Sequence, residues 1–460
     1  MTERSPGRWR SAGAGVAVAA LAALAWSTTS APVTQSVVVA LVGASWLVFA
    51  GAVWLVLRVP RRTAVALILL GGLVLPVLAA FAPPRSSDDL YRYLWDGRVQ
   101  AAGVDPYAHP PADPTLAGLR DGFLWPADGP WCLPDGACTR INRPTVPTIY
   151  PPAAQAYFLG VHVLSPAGGR TRPIQLAAAL IAAATALLLV RALPRLGLDP
   201  RWAAVWAWCP TVFLEAGNNA HVDVLATFLA GAALTTLAVS GGRGRALWGG
   251  ALLGLAVAVK LTPGLLAPAL VRRRPLLVAL AAAGTVAAGY LPHVWAVGAD
   301  VLGYIPGYLT EEGYASGQRF ALLTMVLPAG WAPVAAAVVM VAAAAWTARR
   351  ADPDRPWDAA VVMVGAALLV ATPGYSWYAL LLVLLVALSG RAAWLTVAAA
   401  GHVALYAADL HLTPLTGQRL GYGLALATVI AVAVHRRRSA PGPTPNPAHD
   451  PARPVRSPVR

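Results

Sequence analysis

Long, unbroken apolar runs set the first limit on what this chain can fold into. Stretches such as Ala12–Trp26 and Val361–Thr372 contain no charged side chain, and similar runs recur along most of the 460 residues. Asp, Glu, Lys and Arg together make up only 12% of the chain, about half the share of an ordinary soluble domain. Mean hydropathy is +0.59. Inside lipid every backbone N–H and C=O must find its partner within the chain, which leaves helices or a closed barrel. Barrel strands are short and alternate in polarity, and these runs do neither. The fold class is therefore an all-α polytopic membrane protein, which excludes a soluble enzyme, a disordered chain and a fibrous one.

The formal charge of +15 does not indicate a nucleic-acid partner. Basic residues gather in short clusters between apolar runs: Arg4/Arg8/Arg10, Arg58/Arg61/Arg62, Arg243/Arg245, Arg272–Arg274, Arg349/Arg350 and Arg436–Arg438. That is the positive-inside pattern of cytoplasmic loops. Glycine-rich phosphate loops of the Gly-Lys-Thr or Gly-x-Gly-x-x-Gly kind are absent from the sequence.

The runs divide the chain into N-terminal transmembrane helices over 1–82, a large external loop over 83–152, a transmembrane core over 153–435 and a basic tail over 436–460. Ala12–Trp26 reads as a retained first helix, although its basic start and the following Thr29-Ser30-Ala31 also fit a cleaved signal peptide. Spans at 36–57 and 64–82 follow. Residues 153–164 are too short to cross and read as an interfacial helix. Further spans are expected near 173–190, 202–217, 219–239, 275–294, 321–347, 357–372, 377–390, 392–408 and 419–434. Between Ala246 and Val271 both flanks are basic, so a hairpin broken at Thr262-Pro263 keeps both ends inside. This gives twelve spans, or fourteen if both limbs cross. Lys260 is assigned with the hairpin to the cytoplasmic side and so kept out of the chemistry. Seven prolines after Ser439 mark a disordered end.

The one long polar segment, 83–150, holds Asp88, Asp89, Asp96, Asp105, Asp113, Asp121, Asp128 and Asp135. Long loops of this kind are usually functional. Cys132 and Cys138 flank a turn containing Pro134, Asp135 and Gly136, and outside the cytoplasm they are expected to form a disulfide. Cys209 lies in an apolar run and reads as a core residue.

The loop opens Ser87-Asp88-Asp89-Leu90-Tyr91-Arg92-Tyr93-Leu94-Trp95-Asp96-Gly97. On a helix Arg92 can reach either Asp88 or Asp89 and keep it ionised. An ionised carboxylate at the membrane edge can take a proton from a sugar hydroxyl; the bland alternative is a helix cap paired with Arg92. Downstream, Asn218, Asn219, His221 and Asp223 are costly in a lipid-facing helix and fit either a site or a satisfied cap. Arg319, at an external membrane edge, suits either a lipid phosphate or a pairing with Glu311 or Glu312. Trp377 and Tyr378 fit an aromatic belt, with sugar stacking as the alternative.

These motifs carry a family resemblance. Ser87-Asp88-Asp89…Tyr93…Trp95-Asp96-Gly97, Asp105-Pro106-Tyr107 and Thr148-Ile149-Tyr150-Pro151-Pro152…Gln155 resemble the GT-C class of membrane glycosyltransferases. Within that class they are most similar to glycosyltransferase family 87 and the polyprenol-phosphate-mannose-dependent mannosyltransferases of actinobacterial envelopes. Glu215…Asn218-Asn219…His221…Asp223, Lys260-Leu261-Thr262-Pro263 and Trp377-Tyr378 add support over roughly 83–390. In many such enzymes the acidic loop follows the first helix, whereas here it follows the third.

The resemblance implies a GT-C-like bundle that moves a sugar, mannose first among candidates, from a polyprenyl-phosphate donor to a glycan or lipid-glycan acceptor at the outer face of the plasma membrane. It implies inversion at the sugar carbon. A carboxylate just past the helix preceding the loop acts as base; Asp88 is favoured, with Asp89 orienting the acceptor or holding a divalent metal. Arg92, Tyr93, Trp95, Asp96, Tyr150, Gln155, Asn218, His221, Asp223 and Arg319 are the candidate substrate-binding residues. A transporter or flippase of a lipid-linked sugar is the competing class, since broken helices and intramembrane polar groups also suit transport. A catalytically silent assembly protein is a third.

Overall fold

The computed structural model describes residues 6–239 and 241–439. The chain is all-α, as the apolar runs require. Among the described residues, seven helical segments are long and apolar enough to cross a membrane. The remaining expected spans are built from shorter or broken pieces, among them Asp223–Ala238, Trp357–Ala371, Ser376–Ser389 and Ala392–Leu405. The proline-rich end beyond Ser439 lies outside the described residues.

Three helices come first: α1 (Pro6–Ser30), α2 (Gln35–Val56) and α3 (Arg61–Ala80). The polar loop follows with α4 (Asp89–Ala101), a short hairpin of β1 (Trp131–Cys132) and β2 (Cys138–Thr139), and then α5 (Pro152–Leu164). The hairpin carries the expected Cys132–Cys138 disulfide. α4 and α5 pack so closely that a methyl on Gly97 would sit 2.5 Å from the Phe158 carbonyl oxygen.

After α6 (Arg172–Arg195) the span expected at 202–217 is not one helix. A 3-10 turn at Pro200–Ala203 leads into α7 (Ala204–Ala207), Pro210 breaks the chain before α8 (Pro210–Val212), and a π-helical turn at Phe213–Asn218 ends it. Proline removes a backbone donor and clashes with the preceding turn. π-turns recur at functional sites, and this one delivers Glu215, Asn218 and His221 to the polar end of the bundle.

The core continues with α9 (Asp223–Ala238) and α10 (Arg243–Val259). α10 lays Gly250 and Gly254 against the backbone of α11 (Pro275–Val297), a small-residue contact in which no side chain separates the helices. Beyond α12 (Ile305–Glu311) come α13 (Ala332–Arg350), α14 (Trp357–Ala371), α15 (Leu380–Ser389), α16 (Leu395–Leu405) and α17 (Pro414–Arg438). α15 is apolar on every face and lies buried from Leu380 to Leu388, as such a helix must. α11 and α13 instead leave Leu276, Leu280, Trp295, Val338 and Val341 exposed, a surface suited to lipid.

The hairpin after α9 corrects one expectation. Its helix stops at Val259 and resumes as a 3-10 limb at Thr262–Leu270, so the break falls where the Thr262-Pro263 step places it. Arg273 donates to the carbonyls of Leu237 and Ala238, and Arg272 to that of Arg349, which gathers the basic loops at one end. Both limbs therefore run away from that end. Their tip, with Lys260, stands among Asp223, Tyr150 and Tyr378 on the side of the polar loop. Lys260 is not with the basic loops, because both limbs are long enough to carry the tip to the opposite end.

Candidate active site

α3 ends at the polar loop, and Asp88 and Asp89 stand at the start of α4. Asp89 occupies its first turn, where the helix dipole favours a negative charge. Asn142 bridges the two carboxylates: its side-chain amide donates to Asp88 Oδ1 at 2.8 Å and to Asp89 Oδ1 at 2.6 Å. The Trp131 indole N–H donates to Asp88 Oδ2 at 2.7 Å, so both Asp88 oxygens are engaged. No donor among the described residues hydrogen-bonds Asp89 Oδ2. His221 Nδ1 stands 3.7 Å from it. Burial, reinforced by the adjacent Asp89 charge, raises the Asp88 pKa above the usual value, against the pull of the Trp131 and Asn142 donors.

These groups face a cavity of about 490 Å³. Asp88, Asp89, Asn142 and Trp131 form one side. Lys260, Leu261 and Thr262 of the hairpin tip and Tyr308, Glu311 and Glu312 around α12 line others, with Tyr150, Tyr375, Trp377 and Tyr378 supplying aromatic faces. The Lys260 ammonium lies 3.3 Å from Asp223 and within 5.7 and 5.6 Å of the Tyr150 and Tyr378 ring centroids. Arg143, held at φ 45°, reaches Glu311 at 2.6 Å and ties the polar loop to α12. Tyr308 and Tyr378 share a 2.6 Å hydroxyl contact.

The expected reach of Arg92 to Asp88 or Asp89 is not what the structure has. Arg92 turns inward to Asp96 at 2.9 Å and to the Val146 carbonyl. Asp96 also accepts from Thr148 and Gln155, at 2.7 and 2.9 Å, so Arg92, Asp96 and Gln155 form a buried knot beneath the loop. A buried carboxylate needs such donors, and the (i, i+4) spacing lets Asp96 take the guanidinium. Tyr93 stacks on Phe158 and meets the Tyr150 ring edge-on, and Trp95 packs edge-on to Trp125; neither lines the cavity itself. Of the twelve residues expected at the site, Asp88, Asp89 and Tyr150 line the cavity itself.

Others stand just behind it. Asn218 donates to the Ala79 and Pro83 carbonyls and accepts from the Arg85 N–H, clamping the end of α3 to the start of the loop. His221 stacks on Trp377 at 3.8 Å between centroids and lies between Asp89 and Glu215, its Nε2 3.5 Å from the latter. Asp223 faces Lys260. Arg319 takes the second of its two expected roles, pairing with Glu312 under the Tyr314 and Tyr378 rings. Asp105 and Tyr107 are struts: Asp105 meets His293 at 2.7 Å and the Tyr107 hydroxyl donates to the Tyr150 carbonyl.

Asn142, Trp131, Arg143 and Tyr308 are site residues that the sequence did not single out, and Lys260 is one that it named but kept out of the chemistry. Asn142 and Arg143 lie more than fifty positions from the aspartates, and local spacing cannot show that the disulfide-closed hairpin folds back over them. As for a metal, no group of three or more His, Cys, Asp or Glu suited to hold one occurs among the described residues. Asp88 and Asp89 are the carboxylates that face the cavity beside Asn142.

Residues 148–373 match the family model described as Glycosyltransferase family 87. The match takes in Tyr150, His221, Asp223, Lys260, Tyr308 and Arg319 and begins downstream of Asp88 and Asp89. No curated protein and no solved structure matches the chain.

Proposed function

From the membership of this chain in glycosyltransferase family 87, a GT-C-type family, we propose that it transfers a sugar from a polyprenyl-phosphate donor to a hydroxyl of a glycan or lipid-glycan acceptor. Mannose is the first sugar to test, and the outer face of the plasma membrane the proposed location. Nucleotide sugars are not available there, whereas a lipid carrier presents its sugar at the membrane edge.

The observation that carries this reading is the carboxylate pair bridged by Asn142, facing a lysine across an aromatic cavity at the end of a membrane bundle. A general base needs a free lone pair aimed at the acceptor. Asp89 Oδ2 accepts no hydrogen bond from the described residues, whereas each Asp88 oxygen already accepts one, which makes Asp88 the less available of the two. The sequence favoured Asp88; the hydrogen bonding supports Asp89 as base, with Asp88 and Asn142 fixing its orientation.

In the reaction the acceptor O–H gives its proton to Asp89 as its oxygen bonds to the anomeric carbon. The bond from that carbon to the phosphate oxygen breaks, and polyprenyl phosphate leaves with the electron pair. Attack opposite the leaving group inverts the sugar carbon. The cavity's tyrosines and Trp377 offer apolar faces for the ring.

The test is transfer from polyprenyl-phosphate-[¹⁴C]mannose, then from other polyprenyl-phosphate sugars, in membranes holding wild type, Asp88→Asn or Asp89→Asn at matched protein level. Asp89→Asn abolishes labelled product and Asp88→Asn leaves a measurable fraction. Full activity of Asp89→Asn overturns the assignment of the base. A wild type inactive with every polyprenyl-phosphate sugar overturns the donor.

A further inference from the structure

The tip of the α10 hairpin borders two different spaces. Leu261 and Thr262 line the polar cavity. Two residues on, Gly264 opens onto a groove of about 560 Å³ between α10, the 3-10 limb and α11, walled by residues such as Val257, Ala267, Ala283 and Val286. The first space offers a cation and the second only hydrocarbon contact. They meet within one turn of chain.

An ammonium carries three N–H donors. Asp223 engages Lys260 from one side at 3.3 Å, and Tyr150 and Tyr378 flank it. The neighbouring guanidiniums are already held, Arg143 by Glu311 and Arg319 by Glu312. We propose that the tip is a single site for an anionic amphiphile, in which Lys260 grips the phosphate of the lipid-linked donor and the groove beside Gly264 seats the first part of its hydrocarbon tail. This deepens the donor reading above and rests on it. Lys260 then stabilises the charge that develops on the leaving phosphate, while Asp223 fixes the ammonium as a positioning residue.

The groove suits a test by filling. A Cβ on Gly264 meets nothing within 4 Å and Gly264 lines the groove, so Gly264→Phe starts its side chain in the space it is meant to fill. Binding is measured on purified full-length protein with long-chain polyprenyl monophosphate, polyprenol of the same length, and a ten-carbon isoprenyl monophosphate. Wild type prefers the long phosphate to the alcohol by tenfold or more. Lys260→Met erases that preference, Lys260→Arg keeps most of it, and Arg319→Gln leaves it in place. Gly264→Phe keeps binding of the ten-carbon phosphate but loses about tenfold for the long chain.

A Lys260→Met protein that melts like wild type and still prefers the phosphate overturns the head-group assignment. Unchanged chain-length preference in Gly264→Phe overturns the tail seat and makes the groove a place for bulk lipid only. Both of these leave the donor reading standing. A wild type without phosphate preference overturns this inference and the donor reading together.

Discussion

Replacing Asn142 by alanine removes one amide that holds two carboxylates, at 2.8 and 2.6 Å. Hydrogen bonds to charged groups contribute about 1.5–3 kcal/mol each. Asn142 is only 9% exposed, so water refills its place in part. Taking about half of the two-bond total as lost in the transition state leaves about 1.5–3 kcal/mol. At about 1.36 kcal/mol per tenfold, that is a roughly 10- to 150-fold drop in rate. The loss falls on kcat more than on KM, because Asn142 orients the base and does not line the ring-binding faces. A second readout separates orientation from general damage. Asn142 donates to Asp88 and holds its pKa down against burial, so Asn142→Ala raises the pH at which the Asp88 carboxyl titrates, read from its infrared carbonyl band. Initial rates with the donor that wild type accepts, alongside protein level and thermal melting, supply the measurement. An Asn142→Ala enzyme that melts normally and keeps more than half of wild-type kcat with an unmoved Asp88 titration refutes the bridging role.

Three further outcomes follow from the same geometry. Arg92→Ala strands the buried Asp96 carboxylate and costs about 3–5 kcal/mol of stability, seen as lost melting temperature and expression; a variant that melts like wild type but is inactive would assign Arg92 to substrate instead. Gly97→Ala drives a methyl into the Phe158 carbonyl at 2.5 Å, an overpacking cost of about 1–3 kcal/mol, and an unchanged melting curve would contradict the close α4–α5 contact. The Asp88 pKa is raised in the fold, so ionised Asp88 costs stability at neutral pH, and that cost fades as pH falls through the raised value toward 3.8. Asp88→Asn is therefore expected to melt no lower than wild type at neutral pH and to lose part of that advantage in acid; a variant less stable at neutral pH than in acid, relative to wild type, contradicts the sign.

The candidate site was legible in part, and the misses share a cause. The opening of the loop marked Asp88 and Asp89 because an acidic pair at a membrane edge is costly without use. Its helical spacing correctly put Arg92 near carboxylates but could not choose among Asp88, Asp89 and Asp96. Burial decided: Asp96 lies under the loop, where a charge requires the guanidinium, Thr148 and Gln155 together. Lys260 was misplaced because hydropathy gives the number and flanks of apolar segments but not how far a 3-10 limb carries its tip.

What the sequence by itself determined is whatever follows from the solvent. Lipid requires helices, so apolar runs fix an all-α membrane bundle, prolines fix where its spans break, and two cysteines around a turn fix their disulfide. The tertiary structure alone decided which polar groups share a space. Asn142 meets Asp89 from more than fifty residues away, and Lys260 meets Asp223 and Tyr378 only because two limbs, α9 and α15 end at the same level. Contacts between distant segments depend on how helices pack against one another, and no local pattern of residues encodes that distance.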